Sequence, residues 1–348
     1  MKAFVQRSFG GAEVVALETV PDPVPAAGEL LIEVRASALN RLDLLQRSAP
    51  LVRGFSLPHI AGMDVAGVVV ARASELPDTV GPAVGARVLV DPVSTCGVCD
   101  RCTTGLAPYC ENLRTVGSTR AGGFADLVTT PADRVYEIPD GMSFVHAASL
   151  PVAAMTAFHA LEAGHHVPGE TVLVNGAASG VSCALLTLLR ADGSTIITTT
   201  GGPRKVERAL QSGYHHAIDY RTADIPAAVA RITGGRGVDL VVDHVGPALF
   251  AASIGALAIG GRMVFCGTTT GTEAALSLTD VYHWGRSLIG AGGYEATDFP
   301  RMLAATAVAL DTTDTGPTID SVWPFDRTLG ALAAMESGDF FGKIVVEH

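Results

Sequence analysis

Between Lys2 and about Pro139, apolar residues come in short runs separated by turn-forming residues. The runs at 30–34, 65–70, 87–90 and 124–129 read as strands, and Pro21, Pro23, Pro25 and Gly28 punctuate the first connection. This pattern predicts antiparallel, barrel-like packing. From about Ser149 the pattern changes. Apolar, β-branched runs at 172–175, 195–199, 240–243 and 263–266 now alternate with helical stretches such as 183–190 and 204–211. Strands alternating with helices predict a parallel sheet built from right-handed crossovers. The fold class is therefore α/β: a β-rich domain plus a doubly wound parallel-sheet domain.

The chain has 348 residues, which is long for one core and agrees with two domains. Hydrophobic residues make up 48% and charged residues only 17%, as expected of a well-buried globular protein. The formal net charge of −11 argues against nucleic acid or an anionic membrane as partner. No apolar run approaches the ~20 residues of a membrane span. The first residues lack a basic-then-apolar signal segment, so a cytoplasmic protein is expected.

Four of the six cysteines follow the spacing Cys96-x2-Cys99-x2-Cys102-x7-Cys110. Four thiolates can close a tetrahedral shell around Zn²⁺ and leave no position for water or substrate. One structural zinc per chain is expected there, the alternative being two disulfides or unrelated thiols. Cysteines grouped for a metal suit a reducing compartment. Cys183 and Cys266 lie in apolar stretches and read as small core residues.

The run 171–175 leads into Gly176-Ala177-Ala178-Ser179-Gly180-Val181 and then an apolar helix. Such a turn lets a helix N-terminus approach a pyrophosphate, so Gly176, Ala177, Ser179, Gly180 and Val181 are candidate cofactor contacts. The strict Gly-x-Gly-x-x-Gly pattern is absent. An NAD site usually carries an acid about 20 residues past the loop, but none lies between Gly193 and Val206. Instead Thr200 and Gly201 are followed by Arg204 and Lys205. Hydroxyls, glycines and adjacent cations suit the 2′-phosphate of NADPH. The plainer alternative makes Arg204 and Lys205 solvated first-turn residues.

These features together resemble the medium-chain dehydrogenase/reductases over nearly the whole chain. Further matches are Gly62-Met-Asp-Val-Ala-Gly67, Val84-Gly-Ala-Arg-Val88, Gly122-Gly-Phe-Ala-Asp126 and Gly342-Lys-Ile-Val-Val346. The resemblance implies a GroES-like catalytic domain from 1–150 and 288–348, with the zinc lobe at about 91–115. It implies a Rossmann domain at 151–287. Zinc alcohol dehydrogenases of this group hold a second, catalytic zinc by Cys, His and Cys. The matching positions here are Asn40, Met63 and Val152, none of which replaces those ligands. Asn40-Arg-Leu-Asp43 and Ala217-Ile-Asp-Tyr-Arg221 resemble the NADPH:quinone oxidoreductase branch, whose members generally lack the zinc lobe.

The resemblance implies roles near the reaction for Asn40, Asp43 and Thr156. It also implies cofactor contacts from Tyr220, the turn Cys266-Gly267-Thr268 and Lys343. Plain alternatives exist: Asn40 could only fix a turn, Thr156 only bond within its helix, and Tyr220 only pack at the surface. Related enoyl reductases carry a tyrosine proton donor beyond the Asn-x-x-Asp turn, whereas 48–53 contains none. The implied activity is NADPH-dependent hydride transfer to a quinone or α,β-unsaturated carbonyl, in a homodimer, without catalytic zinc. An alcohol dehydrogenase with an atypical metal site and a non-catalytic NADPH sensor are the other readings.

Overall fold

The alternation at 30–34 belongs to a ten-residue strand, Glu29–Ala38, in the computed structural model, which describes residues 1–313 and 318–348. Leu30, Ile32, Val34 and Ala36 are buried along one face of this strand. Leu30, Ile32 and Val34 meet Val65, Val69, Val88, Val90, Val128 and Val135 from neighbouring strands in one apolar cluster. The chain divides into two compact units.

The first unit comprises Met1–Ala153, Glu295–Pro300 and Thr318–His348. Its main sheet runs Val135–Glu137, Arg87–Val90, Asp64–Arg72, Glu29–Ala38, Lys343–Glu347, Ile319–Pro324, and Leu127–Pro131 also pairs with Glu29–Ala38. The last two strands of that order are parallel, and the other pairs are antiparallel. Lys343–Glu347 lies beside Glu29–Ala38 with Val345 opposite Ala38, which brings the two ends of the chain together. Residues 124–126 are not part of the expected strand. Phe124 accepts a hydrogen bond from the Phe4 amide and Asp126 donates one to Lys2, so this segment serves a second sheet before Leu127–Pro131 joins the first.

The second unit comprises Ala154–Tyr294 and Arg301–Pro317. Six parallel strands lie in the order His216–Asp219, Thr195–Thr200, Thr171–Asn175, Val238–Asp243, Leu257–Phe265, Ser287–Gly290. Their cores are nearly continuous apolar runs, as both faces of a parallel sheet are covered. Leu257–Phe265 begins well before the expected 263, because Gly260 and Gly261 interrupt the apolar pattern without ending the strand. The order reverses between Thr171–Asn175 and Val238–Asp243. At such a switch point the connections leave to opposite faces, and a crevice opens beyond the strand ends. No helix among the described residues is long and apolar enough to cross a membrane.

Candidate functional site

The four cysteines converge in the first unit. Cys99 caps the one-turn helix Asp100–Thr103, and the turn Ala107–Tyr109 delivers Cys110. All four Sγ atoms lie within 4.8 Å of one another. Four separations are 3.5 Å (Cys96–Cys110), 3.5 Å (Cys99–Cys102), 3.9 Å (Cys99–Cys110) and 4.0 Å (Cys96–Cys102). A tetrahedron with Zn–S bonds of about 2.3 Å has edges of about 3.8 Å, so this donor set fits zinc. The backbone amides of Cys96 and Asn112 each approach Cys110 Sγ at 3.3 Å, and such donors favour thiolate. Backbone N–H groups, led by that of Val98, bring the Cys96 thiol down to about 6.

A second cluster in the same unit surrounds Asn40, at the N-terminus of helix Arg41–Ser48. Lys343 Nζ donates to Leu39 O at 2.8 Å, Asn40 Oδ1 at 3.0 Å and Asp64 Oδ2 at 2.7 Å. These three bonds use every proton of the ammonium. Asn40 Nδ2 donates to Asp64 Oδ2 at 2.9 Å, and Val152 N donates to Asp64 Oδ1 at 2.8 Å. Asp64 thus joins positions 40 and 152, two of the three that resemble catalytic-zinc positions. The third, Met63, is its buried neighbour. An amide, a thioether and an isopropyl group do not make a zinc shell. Among the described residues, only the four cysteines form a converging group of three or more His, Cys, Asp or Glu donors. His59 is buried against Phe55, with Nε2 3.2 Å from Gly117 O, and burial pushes its imidazole down to about 4.

Asp43 lies beneath this cluster and accepts from Asn40 N at 2.7 Å and Gly62 N at 3.2 Å. Burial outweighs both donors and pushes its carboxyl up to about 7; Lys343 lowers it and Asp64 raises it. The folded state therefore holds this proton more tightly than the unfolded chain, whose Asp titrates near ~3.9. The resulting stabilisation is fully present below about pH 4 and is lost as pH rises through 7. Across that window, wild type should lose a few degrees of melting temperature relative to Asp43→Asn. Parallel melting-temperature profiles for the two proteins would show that Asp43 stays ionised.

The second unit supplies the crevice at the switch point. Asn175 ends the first strand and Asp243 ends its neighbour across the reversal. Asn175 Nδ2 donates to Asp243 Oδ1 at 2.8 Å and Ser253 Oγ at 2.7 Å, and Asn175 Oδ1 accepts from Thr199 Oγ1 at 3.0 Å. This buried network fixes where the next turns begin. Gly176 has φ +74°, a conformation that favours glycine. Ser179 caps helix Gly180–Ala191 by accepting from Ser182 N. The amides of Gly180 and Val181 open that helix and are free for an anion. Those of Gly176 and Ala177 instead donate to Thr199 O at 3.1 and 2.9 Å.

Sequence reasoning missed His244. Its Nε2 lies 2.9 Å from both Ser179 Oγ and Ser182 Oγ, and its ring covers Gly176. Burial holds its imidazole below the ordinary range. Gly267 packs against His244, and Thr268 against Gly246, so the turn at 266–268 lines the neighbouring strand end. Burial pushes the Cys266 thiol up to about 12, which makes it a packing group. Thr156 lies half-buried on helix Pro151–Ala163.

Thr200 ends the second strand, and Gly201 follows under Tyr220. A Cβ at Gly201 would lie 2.7 Å from Tyr220 Oη and 3.0 Å from Arg221 Nε. Asp219 Oδ1 accepts from the amides of Gly202 and Arg221, both at 3.0 Å, and these donors lower its carboxyl. Arg204 is exposed and Lys205 half-buried in the first turn of helix Pro203–Ser212. Arg221 is thus a third cation at this turn, missed because it follows the next strand. Its only sequence signal is its place beside Tyr220. Lys343, expected among the cofactor contacts, lies in the first unit with its ammonium spent on Leu39, Asn40 and Asp64.

A GroES-like β unit and a six-stranded Rossmann unit, with a four-cysteine lobe in the former, define a medium-chain dehydrogenase/reductase. Residues 26–140 match the alcohol dehydrogenase GroES-like domain, and residues 180–307 match the zinc-binding dehydrogenase family. The chain belongs to this superfamily of oxidoreductases. A VAT-1 homolog from Mus musculus, described as a synaptic vesicle membrane protein, is 30% identical, with 99% of this chain and 83% of the relative covered. Quinone oxidoreductase from Sus scrofa is 28% identical, covering 95% of this chain and 92% of its own. Among solved structures, an NAD-dependent alcohol dehydrogenase is similar at TM-score 0.91 and 32% identity over 100% of both chains. A mycobacterial protein complexed with NADPH is similar at TM-score 0.82 and 25% identity, also over 100% of both chains.

Proposed function

We propose that this protein reduces a quinone or an α,β-unsaturated carbonyl with NADPH, without a catalytic metal, and carries one structural zinc on its four cysteines. The observation that carries the reading is the Asn40–Asp64–Lys343 cluster. Where zinc dehydrogenases hold a Lewis acid, this chain has a carboxamide, a thioether and an alkyl group, and its local cation is a lysine already saturated with acceptors. Oxidation of a simple alcohol needs a group that stabilises an alkoxide. A quinone or enone spreads the incoming negative charge over its own π system and needs less help. The likeness to quinone oxidoreductase supports the same choice.

NADPH, when bound, supplies the hydride. The amides of Gly180 and Val181 at the helix N-terminus suit its pyrophosphate. The turn Thr200–Lys205, with Tyr220 and Arg221 beside it, suits a 2′-phosphate. The mycobacterial neighbour complexed with NADPH supports this cofactor, while the NAD-dependent neighbour favours the other dinucleotide.

The test is a panel of 1,4-benzoquinone, 2-cyclohexen-1-one and simple alcohols, followed at the nicotinamide absorbance. NADPH oxidation by the first two, with no reduction of NADP⁺ by alcohols, is expected. Alcohol oxidation that disappears with a second bound metal would replace this reading by the alcohol dehydrogenase one.

A further inference from the structure

The crevice of the second unit contains a titratable side chain that the reductase reading does not use. His244 Nε2 lies 2.9 Å from Ser179 Oγ and 2.9 Å from Ser182 Oγ, and those two oxygens are 3.0 Å apart. Ser179 also accepts from Ser182 N at 3.0 Å, as the N-cap of helix Gly180–Ala191. Its hydroxyl proton goes to Ser182 Oγ, and the Ser182 proton goes to Asn175 O at 3.1 Å. A carbonyl only accepts, so this chain of bonds runs one way. With both hydroxyl protons spent, the contacts to the imidazole require a hydrogen on Nε2, and the network assigns Nε2 as the donor. In the neutral ring Nδ1 is then the bare nitrogen, and the one that can gain a proton.

The ring is matched to the turn as well as to the cap. Gly176 has φ +74°, and a Cβ on it would lie 3.1 Å from His244 Cε1, so the imidazole packs on the bare face of that glycine. The acidic group on its own strand is Asp243, whose oxygens accept from Asn175 Nδ2, Val245 N and Gly246 N. The helix faces the ring with Ser179 and Ser182, and the first strand with Asn175, all neutral. The turn at 266–268 meets His244 through Gly267, and the Cys266 thiol, pushed up to about 12 by burial, stays protonated. Burial holds the imidazole below its ordinary range, while Asp243 and the carbonyls of His244 and Asn175 act against burial. The free protein thus keeps a neutral histidine beside the amides of Gly180 and Val181, which suit an anion. An anion arriving there favours imidazolium.

We propose that His244 is a positioning residue of the dinucleotide turn, aiming the Ser179 cap through Nε2–H, and that it takes up a solvent proton on Nδ1 when a pyrophosphate binds at Gly180 and Val181. All of these residues lie within the second unit. The inference rests on the cofactor part of the reductase reading and adds a regulation to it. Binding that takes up a proton weakens as pH rises. The 2′-phosphate of NADPH, which titrates near pH ~6, acts with the opposite sign, because cations around it favour the dianion.

The closing experiment is calorimetry on the full chain with ADP-ribose, a pyrophosphate diester without a 2′-phosphate, and with NADPH. Titrations near pH ~7 in buffers of different ionisation enthalpy count the protons exchanged, and a series between about pH 6 and about pH 8.5 follows the affinity. Wild type is expected to take up a fraction of a proton per ADP-ribose bound, and to bind it about tenfold more weakly at the alkaline end. With NADPH, wild type should take up more protons than His244→Gln by a similar fraction. His244→Gln keeps an N–H donor and cannot titrate, so its ADP-ribose proton count should fall to zero and its affinity should be flat across the series. His244→Ala also loses the donor and should bind more weakly than His244→Gln at every pH. Zero uptake by wild type, an uptake that persists in His244→Gln, or equal NADPH proton counts in the two proteins would overturn the proposal and leave the NADPH reading standing. A wild type that binds neither ADP-ribose nor NADPH would remove both. If His244→Ala does not fold, wild type and His244→Gln decide.

Discussion

Replacing Cys99 with serine is expected to strip the protein of about one zinc per chain and to unfold the lobe around residues 96–110. The reason lies in what the lobe lacks. Val98 is 81% exposed, Leu106 52% and Tyr109 53%, so its apolar side chains face water and build no core. Its regular structure is one helical turn, one 3₁₀ turn and a two-residue strand pair, Val93–Ser94 with Arg114–Thr115. Burial at ~25 cal/mol per Å² cannot hold such a segment, whereas structural zinc supplies about 10–16 kcal/mol in small domains. Metal analysis and amide exchange of wild type and Cys99→Ser give the reading: zinc near one and near zero, and protection lost at 96–110. Turnover per folded molecule should change far less than stability. A Cys99→Ser protein that stayed folded, kept its amide protection and lost only turnover would make this metal part of the chemistry.

The second large effect concerns the choice of cofactor. Wild type is expected to bind NADPH more tightly than NADH, with the difference residing in the turn Thr200–Lys205 and Arg221. A 2′-phosphate carries about two negative charges near neutral pH, and each well-formed charged hydrogen bond contributes about 1.5–3 kcal/mol, or roughly 10- to 150-fold in affinity. Lys205→Ala and Arg221→Ala should each raise the NADPH dissociation constant within that range, less where solvent screens the cation, and leave NADH nearly unaffected. Gly201→Asp should act in both directions at once. A carboxylate there repels phosphate, offers the ribose an acceptor and draws on Arg221. The atoms a new Cβ would crowd belong to the side chains of Tyr220 and Arg221 and not to backbone, so these side chains must shift to admit it. Paired titrations with both dinucleotides measure this. Equal affinities in wild type, or parallel losses in the variants, would locate discrimination elsewhere.

Features written in short stretches of chain were legible before any coordinates. Cysteine spacing carried the candidate zinc centre, because its ligands come from one fifteen-residue loop and no distant contact is needed to bring them together. The strands at 171–175 and 195–200, and the helices that follow them, were visible because burial on both faces of a parallel sheet demands continuous β-branched runs. Strand boundaries were less legible where function or topology broke the pattern. Gly260 and Gly261 hid the first half of Leu257–Phe265, and residues 124–126 look strand-like while serving another sheet.

Tertiary structure decided everything that depends on the chain returning to itself. Lys343 reaches Asn40 across 303 residues and Asp64 across 279, and only the pairing of Lys343–Glu347 with Glu29–Ala38 brings them together. Sequence likeness made Lys343 a candidate cofactor contact, but nothing local to position 343 says that its ammonium is saturated within the first unit. His244 and Arg221 were likewise illegible. Each is a single polar residue just past a strand, and only the strand order sets it beside Gly176 or Gly201. A sequence records local propensity and periodicity directly. The Asn40–Asp64–Lys343 cluster joins residues far apart in the chain, so it exists only once the sheet has closed.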